Sequence, residues 1–262
     1  MKNNLKGEKI MKVERKDKIL QMLAENHMMK AGELAETFQV SMETIRRDLN
    51  ELEELRMIRR VHGGAVLYTE YGIEPDYTHR ITENYNEKLL IGKKAAELVN
   101  DGDSIIIDIG TTALEFSRFL KGKKDLTVFT NSIKIAYELM SEKEITVILL
   151  GGKVRYGEGT TSGYWSEDMI DGFFVDKFFL GVGGLTPEHG VMDYHIEETN
   201  LRRHCIRQAK QVIALADYSK FGVKAMNHVC KTEQIHYVIT DERANKKIVK
   251  ELRDLGIKVV IS

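Results

Sequence analysis

The chain has little cysteine, little net charge and no long apolar run, and each shortage excludes something. Its two cysteines, Cys205 and Cys230, stand far apart and form no CxxC pair, the pattern of a reduced cytosolic protein. No apolar run approaches the ~18 residues that a membrane-spanning helix needs. Residues 1–11 are polar and lysine-bearing with no apolar centre, unlike a signal peptide. They are expected to form a disordered extension, with Met11 as an alternative start. The net charge of −1 means that any contact with nucleic acid has to come from locally placed charge. No internal repeat of roughly 20–50 residues and no low-complexity tract is present. The eight histidines lack metal-ligand spacing. His189, Asp193 and His195 come nearest to a cluster, but zinc sites show closer paired ligands, so neither a metal nor a cofactor is expected. The lone tryptophan, Trp165, is expected to pack.

What is present reads as a globular protein, 42% hydrophobic and 30% charged over 262 residues. That length suits one large domain or two ordinary ones. It is enough to bury roughly three quarters of the unfolded surface.

Five stretches share one shape, a short apolar run that ends in small, polar or glycine residues. Ile105-Ile106-Ile107 runs into Asp108-Ile109-Gly110-Thr111-Thr112. Leu126 to Phe129 precedes Thr130-Asn131-Ser132, and Val147 to Leu150 precedes Gly151-Gly152. Phe178 to Leu180 precedes Gly181-Val182-Gly183-Gly184, and Val212 to Leu215 precedes Ala216-Asp217-Tyr218-Ser219-Lys220. In an open parallel sheet, ligands bind in the crevice beyond the carboxyl ends of the strands. Five such ends carrying hydroxyls, amides and bare N–H groups predict one shared pocket for a small, anionic, hydroxylated ligand.

The chain changes character near residue 70. Residues 12–58 read almost wholly as short helices, over 12–26, 32–38 and 42–55, with no strand signal. Residues 59–67 read as short extended pieces around a His62-Gly63-Gly64 turn. Residues 68–85, with Pro75, read as a connector. From residue 86 helices and strands alternate, predicting a largely parallel sheet covered by helices. The expected organisation is an extension (1–11), a small, mostly helical domain (12–67), a connector (68–85) and an α/β domain (86–262).

Residues 31–50 read as helix, tight turn, helix, locked by Leu34, Val40, Ile45 and Leu49, with Ser41 as N-cap of the second helix. This is helix-turn-helix geometry, in which the second helix lies in a major groove. With Ile45, Leu49 and Leu52 inward, Glu43, Arg47 and Asn50 point away from the core, flanked by Met42, Thr44 and Arg46. Arginine pairs with guanine edges or phosphates. Arg56, Arg59 and Arg60 would give a β-wing a phosphate grip. Residues 1–67 hold 13 Lys+Arg and 11 Asp+Glu, so positive charge is focused on one side. One such domain makes few phosphate contacts, which predicts a dimer on a paired site.

Several of these segments together carry a resemblance. They are Glu14-Arg15 with Ile19-Leu20, Val40 to Leu49, Arg60-Val61-His62-Gly63-Gly64-Ala65, Asp108 to Thr112, Thr130-Asn131-Ser132, Gly151-Gly152, Asp217 to Gly222, and Ile239-Thr240-Asp241. The chain resembles the DeoR family of bacterial transcription regulators over residues ~12 to 260, with the motifs in order. The resemblance implies a winged helix-turn-helix joined to an α/β effector domain similar to the ribose-5-phosphate isomerase fold. It further implies a repressor of sugar-catabolic genes released by a phosphorylated sugar. One departure stands out. After Glu197-Glu198 the family often shows alanine and then a lysine-arginine pair, where this chain has Thr199 and Arg202-Arg203.

The residues expected to meet DNA are Ser41, Glu43, Thr44, Arg46, Arg47, Asn50, Arg59, Arg60, His62 and Gly63. Those expected at the effector are Asp108, Gly110, Thr111, Thr112, Thr130, Asn131, Ser132, Gly151, Gly152, Gly183, Glu198, Asp217, Ser219 and Lys220. Gly110-Thr111-Thr112 opens a helix and offers free N–H groups to a phosphate, or a threonine there caps the helix. Asp108 and Asp217 would take sugar hydroxyls, serve as a base, or cap the next helix. Lys220 is the expected phosphate-pairing cation. Glu198 would read a hydroxyl or pair with Arg202. The expected partners are operator DNA, a phosphorylated sugar and further copies of the chain as a homo-dimer or homo-tetramer, with no membrane. An isomerase or deaminase acting on a sugar phosphate is the competing reading, but a metabolic enzyme has no need of the amino-terminal motif.

Overall fold

The structure is a computed structural model, which describes residues 14–23, 26, 28–55, 57–61, 63–67 and 74–262. The extension with Met11, together with Arg56 and His62, lies outside the described residues. The chain forms two compact units, Met1–Ile73 and Glu74–Ser262.

In the first unit, residues 14–23 form helix α1. Strand β1 (Met28–Lys30) and helices α2 (Ala31–Phe38) and α3 (Met42–Glu54) follow, then strands β2 (Ile58–Val61) and β3 (Gly64–Leu67). Helix α2 stops because Gln39 turns left-handed, with φ 50°. Ser41 starts α3 by accepting from the Thr44 N–H, the cap that the sequence predicts. Ile45, Leu49 and Leu52 fall on one face and pack with Ile19, Leu23, Leu34, Ile58 and Ala65 into one core. Each such buried aliphatic side chain contributes about 1.5–3 kcal/mol.

The expectation of no strand before residue 59 is corrected by β1, which pairs antiparallel with β3 in a three-stranded sheet of order β1-β3-β2. Three residues are too few to show a period in the sequence. The contact requires glycine at 64, because a Cβ there would lie 2.1 Å from the Met29 carbonyl oxygen.

The second unit holds a seven-stranded parallel sheet. Its strands are β4 (Ser104–Ile107), β5 (Leu126–Thr130), β6 (Ile145–Leu149), β9 (Val175–Gly181), β12 (Ala209–Leu215), β14 (Tyr237–Thr240) and β15 (Lys258–Ile261), in the order β15-β14-β12-β9-β4-β5-β6. Alternation along each strand buries both faces. Ile105 and Ile107 face one core while Ile106 faces the other, and Phe179 and Phe178 divide likewise. Helices α5 (Tyr85–Ala96), α6 (Thr111–Arg118) and α7 (Ile133–Leu139) cover the first face. Helices α8 (Tyr164–Asp171), α9 (Ile196–Gln208) and α10 (Lys246–Asp254) cover the second.

Residues 74–85 belong to this unit and contain helix α4 (Tyr77–Thr82). Short strands unmarked in the sequence complete it: the hairpin β7 (Lys153–Arg155) with β8 (Thr160–Ser162), and the small sheet of β10 (Gly184–Thr186), β11 (Gly190–Asp193) and β13 (Asn227–Cys230). Both cysteines are free and buried. Burial pushes the Cys205 thiol well up, and that of Cys230 to about 12. Trp165 corrects its expectation. It is 68% exposed and touches only the ring of Tyr164 among the aromatic contacts of the described residues. Its place in the first turn of α8 points it off the covered face.

Candidate functional site

The exposed face of α3 is the first candidate site. Glu43, Arg46, Arg47 and Asn50 are exposed and Thr44 is half-buried. The neighbouring acid, Asp48, points the other way. It is buried against Arg15, with Nε to Oδ2 at 2.6 Å, and Glu51 pairs with Lys16. Two of the helix's acids are therefore engaged by α1, and its arginine pair is left uncovered. This local arrangement focuses positive charge in a unit that is nearly neutral overall.

Ser41 is engaged with Thr44 through the helix cap. Arg60 donates from its side chain to Asn50 and from its backbone N–H to Glu53 at 2.7 Å. The wing and α3 thus hold each other, and Asn50 and Arg60 are less free than the sequence alone indicates. Arg59 is half-buried on the same strand, and Gly63 is exposed at the turn with φ +77°.

In the second unit, all five predicted strand ends fall on adjacent strands of one sheet and point to one edge. The order reverses at β4, with β5 on one side and β9 on the other. That is the topological switch point, where α/β sheets open a crevice. A cleft lies there, lined by residues 109–113 after β4, 181–183 after β9, and Asp217, Ser219 and Lys220 after β12. Glu74, Arg80, Glu83, Asn84 and Lys88 close it from the α4–α5 side.

Not every predicted residue lines this cleft. Thr130, Asn131, Ser132, Gly151 and Gly152 do not line it, and the β7–β8 hairpin packs over the end after β5. Asn131 Nδ2 donates to the Thr161 carbonyl at 2.9 Å and the Ile133 N–H donates to Gly159 at 2.9 Å. Ser132 caps α7. Gly152 lies where a Cβ would meet the Ser162 carbonyl oxygen at 2.5 Å. Among the described residues Glu198 does not pair with Arg202. It accepts from Arg155 Nη1 at 3.1 Å and from Thr160 Oγ1 at 3.0 Å.

Asp108 is buried behind the cleft wall. Its Oδ2 accepts from Arg202 Nε at 2.6 Å and from the Gly181 N–H at 2.9 Å. Burial raises its pKa above the ordinary value, with Arg202 pulling back. Arg202 Nη1 also lies 2.8 Å from Asp193 Oδ2, a charge contact without an aligned N–H. A fork-shaped cation at 202 therefore spans two carboxylates from separate strand ends, which a lysine amine would do as a single point. Asp193 and His195 do not converge on a metal: Asp193 faces Arg202 and His195 Nε2 lies 2.8 Å from Glu74. Among the described residues no group of three or more metal-binding side chains comes together.

The remaining features suit an anion. Helix α6 begins at Thr111, and Gly110 before it has φ 113° and supplies no side-chain cap. Its first N–H groups carry the positive end of the helix into the cleft. Lys220 lines the same space, and so does Lys88, which is 4% exposed. Lys88 Nζ donates to the carbonyls of Glu83, at 2.6 Å, and Arg80.

Among the described residues neither lysine has a carboxylate within salt-bridge distance, and a buried charge without a partner is costly. Burial, with repulsion from Lys220, lowers the Lys88 pKa to about 8. Asp217 Oδ1 accepts from Asn84 Nδ2 and the Ser219 N–H, both at 3.0 Å, while its buried Oδ2 has no hydrogen-bond partner among the described residues. The sequence holds a trace of Lys88's role: it stands three and seven residues before the buried Ile91 and Ala95, on the covered face of α5.

Residues 83–242 match the DeoR C terminal sensor domain, and residues 15–71 match the DeoR-like helix-turn-helix domain. The chain belongs to the DeoR family. Among its relatives are the HTH-type transcriptional regulator GolR of Listeria innocua, 37% identical over 95% of this chain and 98% of that protein, and the HTH-type transcriptional repressor GlcR of Bacillus subtilis, 36% identical over 93% and 94%. Ribose 5-phosphate isomerase A of Methanocaldococcus jannaschii is a looser neighbour in structure, 21% identical over 53% of this chain and 55% of its own, with a TM-score of 0.40. As a DeoR-family member the chain is a helix-turn-helix DNA-binding regulator with a carboxyl-terminal sensor domain. Among the described residues no helix is long and apolar enough to cross a membrane.

Proposed function

We propose that this DeoR-family regulator is a repressor of a sugar-catabolic operon that releases its operator when a phosphorylated sugar enters the cleft of the second unit. The observation that carries the reading is a pair of lysines, Lys88 and Lys220, with no carboxylate partner among the described residues, beside the uncapped amino terminus of α6. Together they offer a phosphate two ammonium groups and a row of backbone N–H donors. Asp217 Oδ2, which lacks a donor among the described residues, suits a ligand hydroxyl. Asp108, bound to Arg202 and Gly181, is not free to act as a base, which disfavours turnover.

On the DNA side, Arg46 and Arg47 of α3 would read base edges or grip phosphate in the major groove, with Arg59 and the Gly63 turn following the backbone. Two copies on paired half-sites would supply the phosphate contacts that one unit lacks. Repression is the sign borne by GlcR's name and is carried here as part of the proposal. The effector must favour one DNA-binding state over the other, with a coupling of about 1–3 kcal/mol.

A thermal-shift screen of phosphorylated sugars against their unphosphorylated parents tests the reading, since a ligand that binds only the folded form raises apparent stability. The phosphorylated member of at least one pair should raise the melting temperature and release operator DNA in a gel shift. Steady conversion of that ligand to product would refute a regulator without turnover.

A further inference from the structure

A charged cluster extends along the cleft wall, away from the α6 terminus. Glu74 accepts from Arg155 Nη2 at 2.7 Å and lies 2.8 Å from His195 Nε2 and 3.0 Å from Arg80 Nη2. Glu74 and Arg80 both line the cleft. Each arginine also has a second carboxylate, Glu158 for Arg80 and Glu198 for Arg155. These two side chains are only 6% and 3% exposed, against 14% for Glu74. Glu158 stands at the β7–β8 turn and Glu198 on α9, whereas Glu74 lies outside helix and strand ahead of α4. Of the three carboxylates, Glu74 is the least buried.

The cations nevertheless hold it firmly. Burial alone would raise its pKa, yet His195, Arg80 and Arg155 bring it down to about 2. Three nitrogen-bearing side chains from separate elements converge on one carboxylate, as they would on a ligand.

We propose that Arg80, Arg155 and His195 form a second anion subsite of the effector cleft, filled in the ligand-free protein by its own Glu74 and claimed by a second acidic group of the effector. The inference rests on the reading of the cleft as a phosphorylated-sugar site and adds a ligand class, a sugar phosphate that also bears a carboxylate or another phosphate. Glu74 is the first residue of the second unit.

The test uses full-length Glu74→Ala and Glu74→Gln, with acetate, glucose 6-phosphate and 6-phosphogluconate as probes. The two sugar phosphates differ at C1, where only 6-phosphogluconate has a carboxylate. Acetate should bind Glu74→Ala at least tenfold tighter than wild type, and adding Arg155→Met should abolish the gain. Affinity for 6-phosphogluconate should rise about tenfold in Glu74→Ala while that for glucose 6-phosphate stays within twofold. Glu74→Gln, which keeps the side chain's shape without its charge, should show a smaller gain of the same kind and decides the matter should the alanine variant fold poorly. Equal acetate binding by wild type and variants, or equal gains for the two sugar phosphates, would overturn the proposal. If acetate fills the variant cradle but no phosphorylated sugar binds wild type, the subsite stands and the sugar-phosphate reading of the cleft falls.

Discussion

Replacing Lys88 with methionine removes a charge from the protein interior and keeps most of its bulk. In the ligand-free fold the Lys88 pKa falls from 10.5 to about 8, because burial penalises the ammonium and Lys220 repels it, with Asp217 partly opposing. A gap of about 2.5 units, at about 1.36 kcal/mol each, is about 3 kcal/mol. The sign follows from linkage. Below pH 8 the amine is charged in both states, and the fold carries the whole penalty. Between pH 8 and 10.5 the unfolded chain binds more protons, so stability rises with pH.

Lys88→Met removes the penalty but leaves the Arg80 and Glu83 carbonyls without their donor, a loss of about 1–3 kcal/mol. The two effects nearly cancel, and fold stability should change by less than about 2 kcal/mol. Ligand affinity should not survive so well. A hydrogen bond to a charged group contributes about 1.5–3 kcal/mol, which corresponds to roughly 10- to 150-fold in Kd.

Calorimetric titration with a phosphorylated sugar chosen by the shift screen reads both arms. A phosphate monoester is dianionic above its second pKa of about 6. Wild-type affinity should therefore hold from pH 7 to 8 and decline above 8 as the empty-cleft amine loses its proton, while the variant gives a flat profile. Equal affinities for the two proteins, or a wild-type Kd that ignores pH up to 9.5, would refute the role of Lys88.

Arg47→Ala should abolish specific operator binding in a gel-shift titration and leave ligand binding intact, because Arg47 is exposed on α3 and pairs with no carboxylate among the described residues; unchanged operator affinity would move the recognition surface elsewhere. If Arg47 holds a phosphate, the slope of log K against log salt should also fall by about 0.9. Lys220→Ala should keep operator affinity and lose the inducer response, and a ligand isotherm identical to wild type would remove it from the phosphate site. Gly64→Ala forces a methyl group into the Met29 carbonyl and should cost the DNA-binding unit about 1–3 kcal/mol, read as a lower melting temperature.

The parts of the fold that were legible in the sequence had a period. Ile45, Leu49 and Leu52 announced α3, and the all-apolar runs of β4, β9 and β12 announced strands buried on both faces. Their polar ends announced the edge where ligands bind. The five ends do share one edge, yet the hairpin β7–β8 covers the one after β5, and three-residue strands carry no period to read. Charge pairing was equally hidden. Nothing local distinguishes Arg202, bound to Asp108 and Asp193, from Arg203, because the partners lie 94 and 9 positions away. Lys88 was missed for a different reason: a lysine on an apolar helix face reads as surface until the fold shows what lies over it.

Concealment of both thiols has a practical corollary. Burial raises both thiol pKa values and shields the sulfurs from an alkylating reagent, so modification of Cys205 or Cys230 reports opening of the α9–β13 region. Because α9 also carries Glu198 and Arg202, a maleimide chase with and without metabolite would time how often the sensor breathes and how far a bound molecule quiets it.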